Sequence, residues 1–218
     1  MQRQALIVGA TGAVGSQLLS LCLDDKRYSL VTVVARRPAG QQHPKLRWIV
    51  SEFDALSELT PLPELAGGDA FCCLGTTIKA AGSAAAFRQV DYDFVLNAAR
   101  FAKNCGVEHF GLVTAIGADS ASRILYNRTK GDVEEAVANL SFPSLHIFRP
   151  SLLLGERREF RIKEEIGRWF SYLMTPLYYV GFGRYRPVKI SRLADSILSS
   201  ADQHRMTGSP RMFENNEI

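Results

Sequence analysis

A tyrosine and a lysine four residues apart are the residues of this chain best suited to proton chemistry. Tyr126 and Lys130 occur in the run YNRTK, and in a helix an i, i+4 spacing puts both side chains on one face. A phenol with a pKa of about 10 is a poor base, whereas a nearby ammonium favours the phenolate and lowers that pKa. The pair predicts proton exchange with a carbonyl or hydroxyl group, although a solvated amphipathic helix explains the spacing equally well.

A second motif, GATGAVG at residues 9–15, follows the first apolar run. Gly9 suits a tight turn, Gly12 leaves the backbone open to a phosphate, and Gly15 lets the next helix pack closely. Between a strand and a helix, this is where a Rossmann fold binds pyrophosphate on free helix N–H groups. The alternative is a glycine-rich turn without a ligand. The residues predicted to hold a dinucleotide here are Gly9, Thr11, Gly12, Ala13, Val14 and Gly15.

The residues after the second apolar run indicate which dinucleotide binds. NAD-specific Rossmann proteins carry a carboxylate there for the ribose 2′-hydroxyl, but this chain has Arg36 and Arg37. Two guanidinium groups suit a 2′-phosphate, so NADP(H) is favoured over NAD(H); a solvated strand end is the alternative. Asp54, after the third apolar run, is a weaker candidate to accept a hydrogen bond from the adenine amino group.

The elements that must position these residues alternate along the chain. Strands alternating with helices predict an α/β, Rossmann-type doubly wound fold, with a mostly parallel sheet and helices on both faces. We expect one domain over 1–218, with a cofactor-binding core over about 1–155 and a small C-terminal substrate-side extension over about 156–218. The predicted strands are 4–8, 30–34, 46–50, 70–74, 109–114 and 145–148, and the longer predicted helices are 83–105, ended by Gly106, and 124–140.

Composition narrows the possible partners. The 218 residues carry a net charge of +4, too weak to argue for nucleic acid. No apolar run is long enough to span a membrane and no secretory signal pattern is present, so we predict a cytoplasmic protein with a small-molecule substrate. The four cysteines are expected as free thiols, and the histidines lack metal-ligand spacing. The aromatic segment 166–185 is expected to form core and substrate pocket; a dimer interface, a protein partner or a membrane-surface role remain alternatives.

Taken together, the glycine motif and the Tyr-x-x-x-Lys pair resemble short-chain dehydrogenases/reductases of the atypical group. The runs FCCLGTT at 71–77, VDYD at 90–93 and FRP at 148–150 are similar to the NADPH-binding oxidoreductase family of the Tat-interactive protein, and the similarity covers about residues 5–155. The resemblance implies that Lys130 also binds the nicotinamide ribose. It further implies an adenosine and ribose path along Leu74, Gly75, Thr76 and Thr77, with Pro150 and Ser151 near the nicotinamide.

The third catalytic residue that this resemblance implies is a hydroxyl at the end of the fifth strand, which binds the reacting oxygen. Thr114 is the candidate; if the position lies one residue later, Ala115 occupies it and the triad is incomplete. Three functions therefore stay open at this point. They are an NADP(H)-dependent oxidoreductase of small carbonyls or alcohols, an NADP(H) sensor with little turnover, and a nucleotide-sugar epimerase or dehydratase.

Overall fold

The computed structural model describes residues 2–155, 185–203 and 209–218. The strands within these residues are β1 (Arg3–Val8), β2 (Tyr28–Ala35), β3 (Leu46–Val50), β4 (Asp69–Cys72), β5 (His109–Val113), β6 (Ser144–Arg149), β7 (Leu153–Leu154), β8 (Val188–Lys189) and β9 (Arg211–Glu214). Seven of them form one parallel sheet in the order β3-β2-β1-β4-β5-β6-β9, and β7 and β8 form a small parallel pair.

The predicted helical stretch over 83–105 is present, as two α-helices joined without a break by a π-helical turn, Gln89–Asp93. Ser83 starts the first by accepting a hydrogen bond from the Ala86 N–H (3.1 Å), and Gly106, with a φ of +74°, follows the second. The helices are α1 (Ala13–Asp24), α2 (Ile78–Ala81), α3 (Ala84–Arg88), α4 (Phe94–Asn104), α5 (Leu125–Ala138) and α6 (Ile190–Gln203).

Helices cover both faces of the sheet, as the sequence predicted. On β1, Leu6 and Val8 face the layer of α4 and α5, whereas Ala5 and Ile7 face the layer of α1 and α6. This alternation follows from the two-residue period of a strand. Strands covered on both faces are continuously apolar, which is why β1 and β2 are such clear runs in the sequence.

The order of the strands determines where a ligand can bind. The chain builds β2 and β3 on one side of β1 and then crosses to build β4, β5 and β6 on the other side. In such a sheet the connections after β1 and β4 diverge, and the crevice between them at the carboxyl ends is the usual ligand site. The glycine motif follows β1 and the segment 73–77 follows β4, so both flank this crevice.

The C-terminal residues join the main layers. Helix α6 packs against α1, and β9 pairs with β6 at the edge of the sheet; neither element was predicted. Apart from Tyr185, the aromatic segment 166–185, and with it the expected substrate pocket, lies outside the described residues. In the part of the chain that is described, no helix is long and apolar enough to cross a membrane.

Candidate functional site

The glycine motif brings three backbone segments into direct contact. Gly9 has a φ of +89°, and a Cβ on it would lie 2.7 Å from the carbonyl carbon of Cys73. A Cβ on Gly15 would lie 2.2 Å from the Gly9 carbonyl oxygen. These separations are too short for any side chain, so β1, α1 and the segment after β4 pack backbone against backbone. The roles of Gly9 and Gly15 in turn and packing agree with the sequence interpretation.

The amino end of α1 is open toward the crevice. Gly12 caps the helix with extended backbone, and no side chain makes a capping hydrogen bond to it; the first turn also carries no acidic residue. Thr11 and Gly12 are exposed. An uncapped helix end presents N–H donors and a partial positive charge, so this cradle fits the pyrophosphate of a dinucleotide.

The segment after β4 is tied to the rest of the crevice by its backbone. The Thr76 N–H donates to Asp91 Oδ2 (2.9 Å), and Thr77 Oγ1 accepts from the Ala80 N–H at the start of α2 (3.0 Å). Leu74 is buried. A Cβ on Gly75 would lie 3.4 Å from Asp91 Oδ1 and 3.5 Å from Lys130 Nζ. The absence of a side chain at Gly75 therefore lets this segment lie against a buried charged pair.

That pair is Asp91 and Lys130. Lys130 Nζ lies 2.7 Å from Asp91 Oδ1, and both side chains are almost completely buried. Burial lowers the pKa of Lys130, but the Asp91 carboxylate and, to a smaller extent, Tyr126 together more than offset this effect, so that the pKa is raised and the ammonium persists. The sequence analysis did not select Asp91 as a site residue. A signal existed, because Asp91 lies at helical spacing between the buried Phe87 and Val95, where a charge needs a partner.

Tyr126 lies one turn before Lys130 on α5, and its ring stacks on Phe87 of α3 at 5.5 Å between centroids. Burial raises the pKa of Tyr126; the Lys130 ammonium opposes this, and the Asp91 carboxylate adds to it. The Lys130 ammonium favours the phenolate, as the sequence predicted, but burial and the Asp91 carboxylate outweigh it, so the pKa of Tyr126 is raised.

The residues predicted to bind the 2′-phosphate and the adenine of the dinucleotide lie at the carboxyl ends of β2 and β3. Arg36 and Arg37 are exposed, and the Arg36 guanidinium lies 6.0 Å from the ring centre of Phe53. Asn97 of α4 holds this loop by donating to the carbonyl oxygens of Phe53 and Asp54, each at 3.2 Å. Asp54 is exposed, and its carboxylate accepts from the next backbone N–H.

The Thr114 hydroxyl is hydrogen-bonded to another residue of the protein. Its hydroxyl donates to Glu134 Oε1 (2.5 Å), and Glu134 is buried on α5, one turn beyond Lys130. Arg149 binds the same carboxylate through Nε (3.1 Å) and also binds Glu214 of β9 (3.1 Å). The structure thus places Thr114 in a network that joins β5, α5, β6 and β9.

Pro150 and Ser151 follow β6, at the carboxyl ends of the strands. The Pro150 carbonyl accepts from the Ile116 N–H (2.9 Å). The Ser151 N–H donates to Asn215 Oδ1 (2.7 Å), and its hydroxyl donates to the carbonyl of Arg186 (2.6 Å). The backbone at this end of the site is therefore held by the C-terminal residues, which the sequence did not predict.

Comparison with known proteins agrees with this geometry. A family model described as NAD(P)H-binding matches residues 9–141, and the chain belongs to this family. Protein HTATIP2 of Rattus norvegicus is 40% identical over 172 residues, 77% of this chain and 70% of that protein. The protein FMP52, mitochondrial, of Lodderomyces elongisporus is 35% identical over 206 residues, 84% of this chain and 85% of that protein. The predicted resemblance is confirmed.

Solved structures show the same fold. MoeE5, in complex with UDP-glucose and NAD, aligns with a TM-score of 0.70 at 15% identity, over 96% of this chain and 75% of that one. A short-chain dehydrogenase/reductase superfamily protein from Agrobacterium tumefaciens, with bound NAD, aligns with a TM-score of 0.69 at 15% identity, over 97% and 77%. At this identity the likeness shows the fold alone, which is a Rossmann fold.

The relatives correct one prediction. FMP52 proteins from several fungi, among them Scheffersomyces stipitis and Emericella nidulans, are named as mitochondrial, so the predicted cytoplasmic location is wrong. That prediction was based on the lack of a secretory signal pattern and of a long apolar run in the sequence. Neither feature distinguishes the cytoplasm from the mitochondrion.

Proposed function

We propose that this protein is an NADP(H)-dependent oxidoreductase that interconverts a small carbonyl compound and its alcohol. The observation that carries the proposal is the position of Lys130. Its ammonium lies against Gly75 in the segment after β4, and that segment packs directly on Gly9 of the glycine motif. The Tyr126–Lys130 face of α5 and the uncapped end of α1 therefore belong to one crevice, at the point where Rossmann folds bind their ligands.

Each residue type has a defined task in this chemistry. The first-turn amides of α1 bind the pyrophosphate, and the Lys130 ammonium binds the ribose hydroxyls. When bound, the dinucleotide supplies or accepts a hydride. Tyr126 holds the proton at its phenolic oxygen and exchanges it with the substrate oxygen. The stacking on Phe87 fixes the plane of the ring and so orients that oxygen.

The preference for NADP(H) rests on the end of β2. Arg36 and Arg37 are exposed there, and each can bind the 2′-phosphate of the dinucleotide through charge-assisted hydrogen bonds. The Phe53 ring beside the Arg36 guanidinium limits the orientations of that side chain. No carboxylate that would select the free 2′-hydroxyl of NAD(H) occupies this strand end.

A second function is favoured by Thr114. Its hydroxyl is bound to Glu134, and Ala115 follows it, so the hydroxyl that would hold the reacting oxygen is committed elsewhere. A protein that binds NADP(H) and senses it, with little turnover, fits this feature. The two functions make opposite predictions for Tyr126.

Tyr126→Phe tests the choice between them. For an oxidoreductase, turnover of carbonyl compounds with NADPH should fall about 100- to 10,000-fold, the usual scale of general acid–base assistance. NADPH affinity, measured by calorimetry, should stay nearly unchanged because the ring and its stack on Phe87 survive. Tyr92→Phe is the matched control, since Tyr92 loses a hydroxyl but keeps its ring under the Arg88 guanidinium. Equal turnover in both variants, or no carbonyl reduction by the native protein, would support the sensor.

A further inference from the structure

We propose that Asn215 is a positioning residue that shapes the crevice for the nicotinamide half of the bound dinucleotide. This inference rests on the proposed function, of which it uses only the binding of NADP(H). Asn215 does not touch the dinucleotide in this proposal. It acts through two backbone segments that it ties together beside the carboxyl end of β6.

The strand order separates the two halves of a dinucleotide. Strands β2 and β3 lie on one side of β1, and β4, β5 and β6 lie on the other. With the pyrophosphate at the amino end of α1 and the 2′-phosphate at Arg36 and Arg37, the adenosine half lies toward β2. The nicotinamide half then extends over the carboxyl ends of β4, β5 and β6. The loop that follows β6, beginning with Pro150, borders this half.

The Asn215 side chain joins that loop to a segment far along the chain. Its Oδ1 accepts the Ser151 N–H (2.7 Å), and its Nδ2 donates to the Arg186 carbonyl (2.8 Å). The Ser151 hydroxyl donates to the same carbonyl (2.6 Å), whose oxygen has a lone pair for each donor. Asn215 and Ser151 are both buried. One amide group thus holds together two segments that are 35 residues apart.

The two segments depend on this contact because their backbone pairing is short. Strands β7 and β8 pair over two residues each, and the Val188 N–H donates to the Leu152 carbonyl (2.9 Å). An isolated pair of strands is marginally stable in water even when it is longer than this. The buried amide of Asn215 therefore adds a fixed point to a weak pair.

Asn215 itself is held rigidly. It directly follows β9, in a turn where the Glu217 N–H donates to the Glu214 carbonyl (2.8 Å) and the Glu214 N–H donates to the Glu217 carboxylate (2.9 Å). Ile218 is buried in the apolar layer of α1 and α6. A positioning residue needs such support, because its own side chain must be fixed before it can fix another group.

The neighbouring contacts limit the effect of Asn215 to one end of the site. Arg149 of β6 binds Glu134 of α5 and Glu214 of β9, and the Pro150 carbonyl accepts the Ile116 N–H (2.9 Å). These contacts do not involve the Asn215 side chain, so they keep β6 attached to α5 without it. Loss of the amide should therefore release the backbone at Ser151 and leave the amino end of α1 and the end of β2 unchanged.

Asn215→Ala tests this assignment with two ligands. NADPH contains the nicotinamide, whereas adenosine 2′,5′-bisphosphate contains the adenosine and the 2′-phosphate without it. By calorimetry, NADPH affinity should fall about tenfold, because the released loop must be ordered when the nicotinamide half binds. The affinity for the bisphosphate should stay the same. Asn216→Ala is the matched control, since Asn216 is the next residue and is exposed; it should change neither affinity.

A spectroscopic measurement and a second variant complete the test. The fluorescence of NADPH comes from its nicotinamide ring, so at saturation the emission of NADPH bound to Asn215→Ala should lie closer to that of free NADPH. Ser151→Ala keeps the Asn215 amide and removes only the hydroxyl that donates to Arg186. It should weaken NADPH binding about threefold, the scale of one hydrogen bond, and leave bisphosphate binding unchanged. This variant decides the matter if Asn215→Ala does not fold.

The possible failures are distinguishable. Equal losses of affinity for both ligands would reduce Asn215 to a structural residue, and unchanged NADPH affinity and emission in a folded Asn215→Ala would overturn the proposal. Native protein that binds no NADPH would remove the proposed function together with this inference. Native protein that binds NADPH and reduces no carbonyl compound would remove only the oxidoreductase, and the ligand comparison would still decide the role of Asn215.

Discussion

Buried charges occur at both ends of the main sheet, but they are arranged differently. At the carboxyl ends of the strands, Asp91 and Lys130 form one pair beside an uncapped helix and an exposed glycine turn. At the amino ends, the buried Asp69 lies at the centre of a network that crosses β1, β2, β4, β5 and β6.

The amino-end network is centred on the Asp69 carboxylate. Asp69 accepts the Tyr28 hydroxyl (2.8 Å) and pairs with Arg3 (3.3 Å). His109 lies 3.6 Å from the same carboxylate and shares a hydrogen bond with His146 (3.1 Å). Burial, followed by the Asp69 carboxylate, raises the pKa of Tyr28, so the phenol remains a donor at neutral pH.

The difference shows how one sheet uses buried charge for two purposes. At the amino end, several strands each contribute a partner to one carboxylate, and the charge holds the strands together. At the carboxyl end, the charged pair neighbours helix amides that no side chain caps, so hydrogen-bonding capacity is left for a ligand. We therefore expect substitutions at the amino end to change stability and those at the carboxyl end to change binding or turnover.

The largest effect that would test this contrast is expected from Asp69→Asn. Removing the charge leaves Arg3 without its buried partner, and the free energy of unfolding should fall by about 3 kcal/mol. The NADPH affinity of the folded protein should stay the same, because the network lies at the opposite end of the sheet. Denaturant unfolding and calorimetry measure the two quantities. Asp24→Asn, at an exposed carboxylate of α1, should change neither, and a large loss of affinity in Asp69→Asn would break the contrast.

Arg36→Ala should have the opposite effect, with weaker NADPH binding and unchanged stability. Loss of a charge-assisted hydrogen bond to the 2′-phosphate, worth about 1.5 to 3 kcal/mol, should weaken NADPH binding roughly 10- to 100-fold. NADH lacks that phosphate and should bind as before, and stability should not change because Arg36 is exposed. Arg100→Ala, at an exposed arginine of α4, provides the control. Equal losses for both dinucleotides would contradict the proposed NADP(H) preference.

Thr114→Val tests the boundary between the two regions, because Thr114 directly follows β5 at the carboxyl end of the sheet but binds Glu134. Leaving Glu134 with Arg149 alone should lower the free energy of unfolding by about 1 kcal/mol, at the low end for a buried lost partner. Turnover should change little, and Thr114→Ser should retain the native stability. A strong loss of turnover without loss of stability would instead show that the hydroxyl serves the substrate.

The smallest expected effect comes from Asp25, near the amino end of β2. Its hydrogen bond from Arg27 lowers its pKa, and burial opposes this only in part. A lowered pKa in the folded state stabilises the protein above the ordinary Asp pKa of about 4 and loses this contribution as the pH falls through the folded value. Asp25→Asn should cost less than about 1 kcal/mol at neutral pH, and the difference from the native protein should vanish in acid. A difference that persists in acid would have another cause.

Much of the fold could be predicted because its signals are local. The predicted strands are all present, with ends shifted by at most two residues, and Gly106 ends its helix with the positive φ that its type favours. The predicted helical stretch over 83–105 is also present. Its π turn at Gln89–Asp93 was not predicted, since a π turn differs from an α-helix by one residue of hydrogen-bond register and leaves no compositional mark. Strand β9 was missed because Arg211–Glu214 is too short to show a period.

The glycine motif between β1 and α1 and the common helix face of Tyr126 and Lys130 could both be predicted from the sequence. Both depend on conformations within a few residues, so residue type and spacing suffice to predict them. The pairing of Lys130 with Asp91 and the hydrogen bond from Thr114 to Glu134 could not be predicted in this way. These pairs join elements far apart in the chain, and their distances depend on strand order and helix packing. Because a buried charge takes its pKa from whichever groups the fold brings within a few ångströms, the protonation of Tyr126 is a property of the folded crevice.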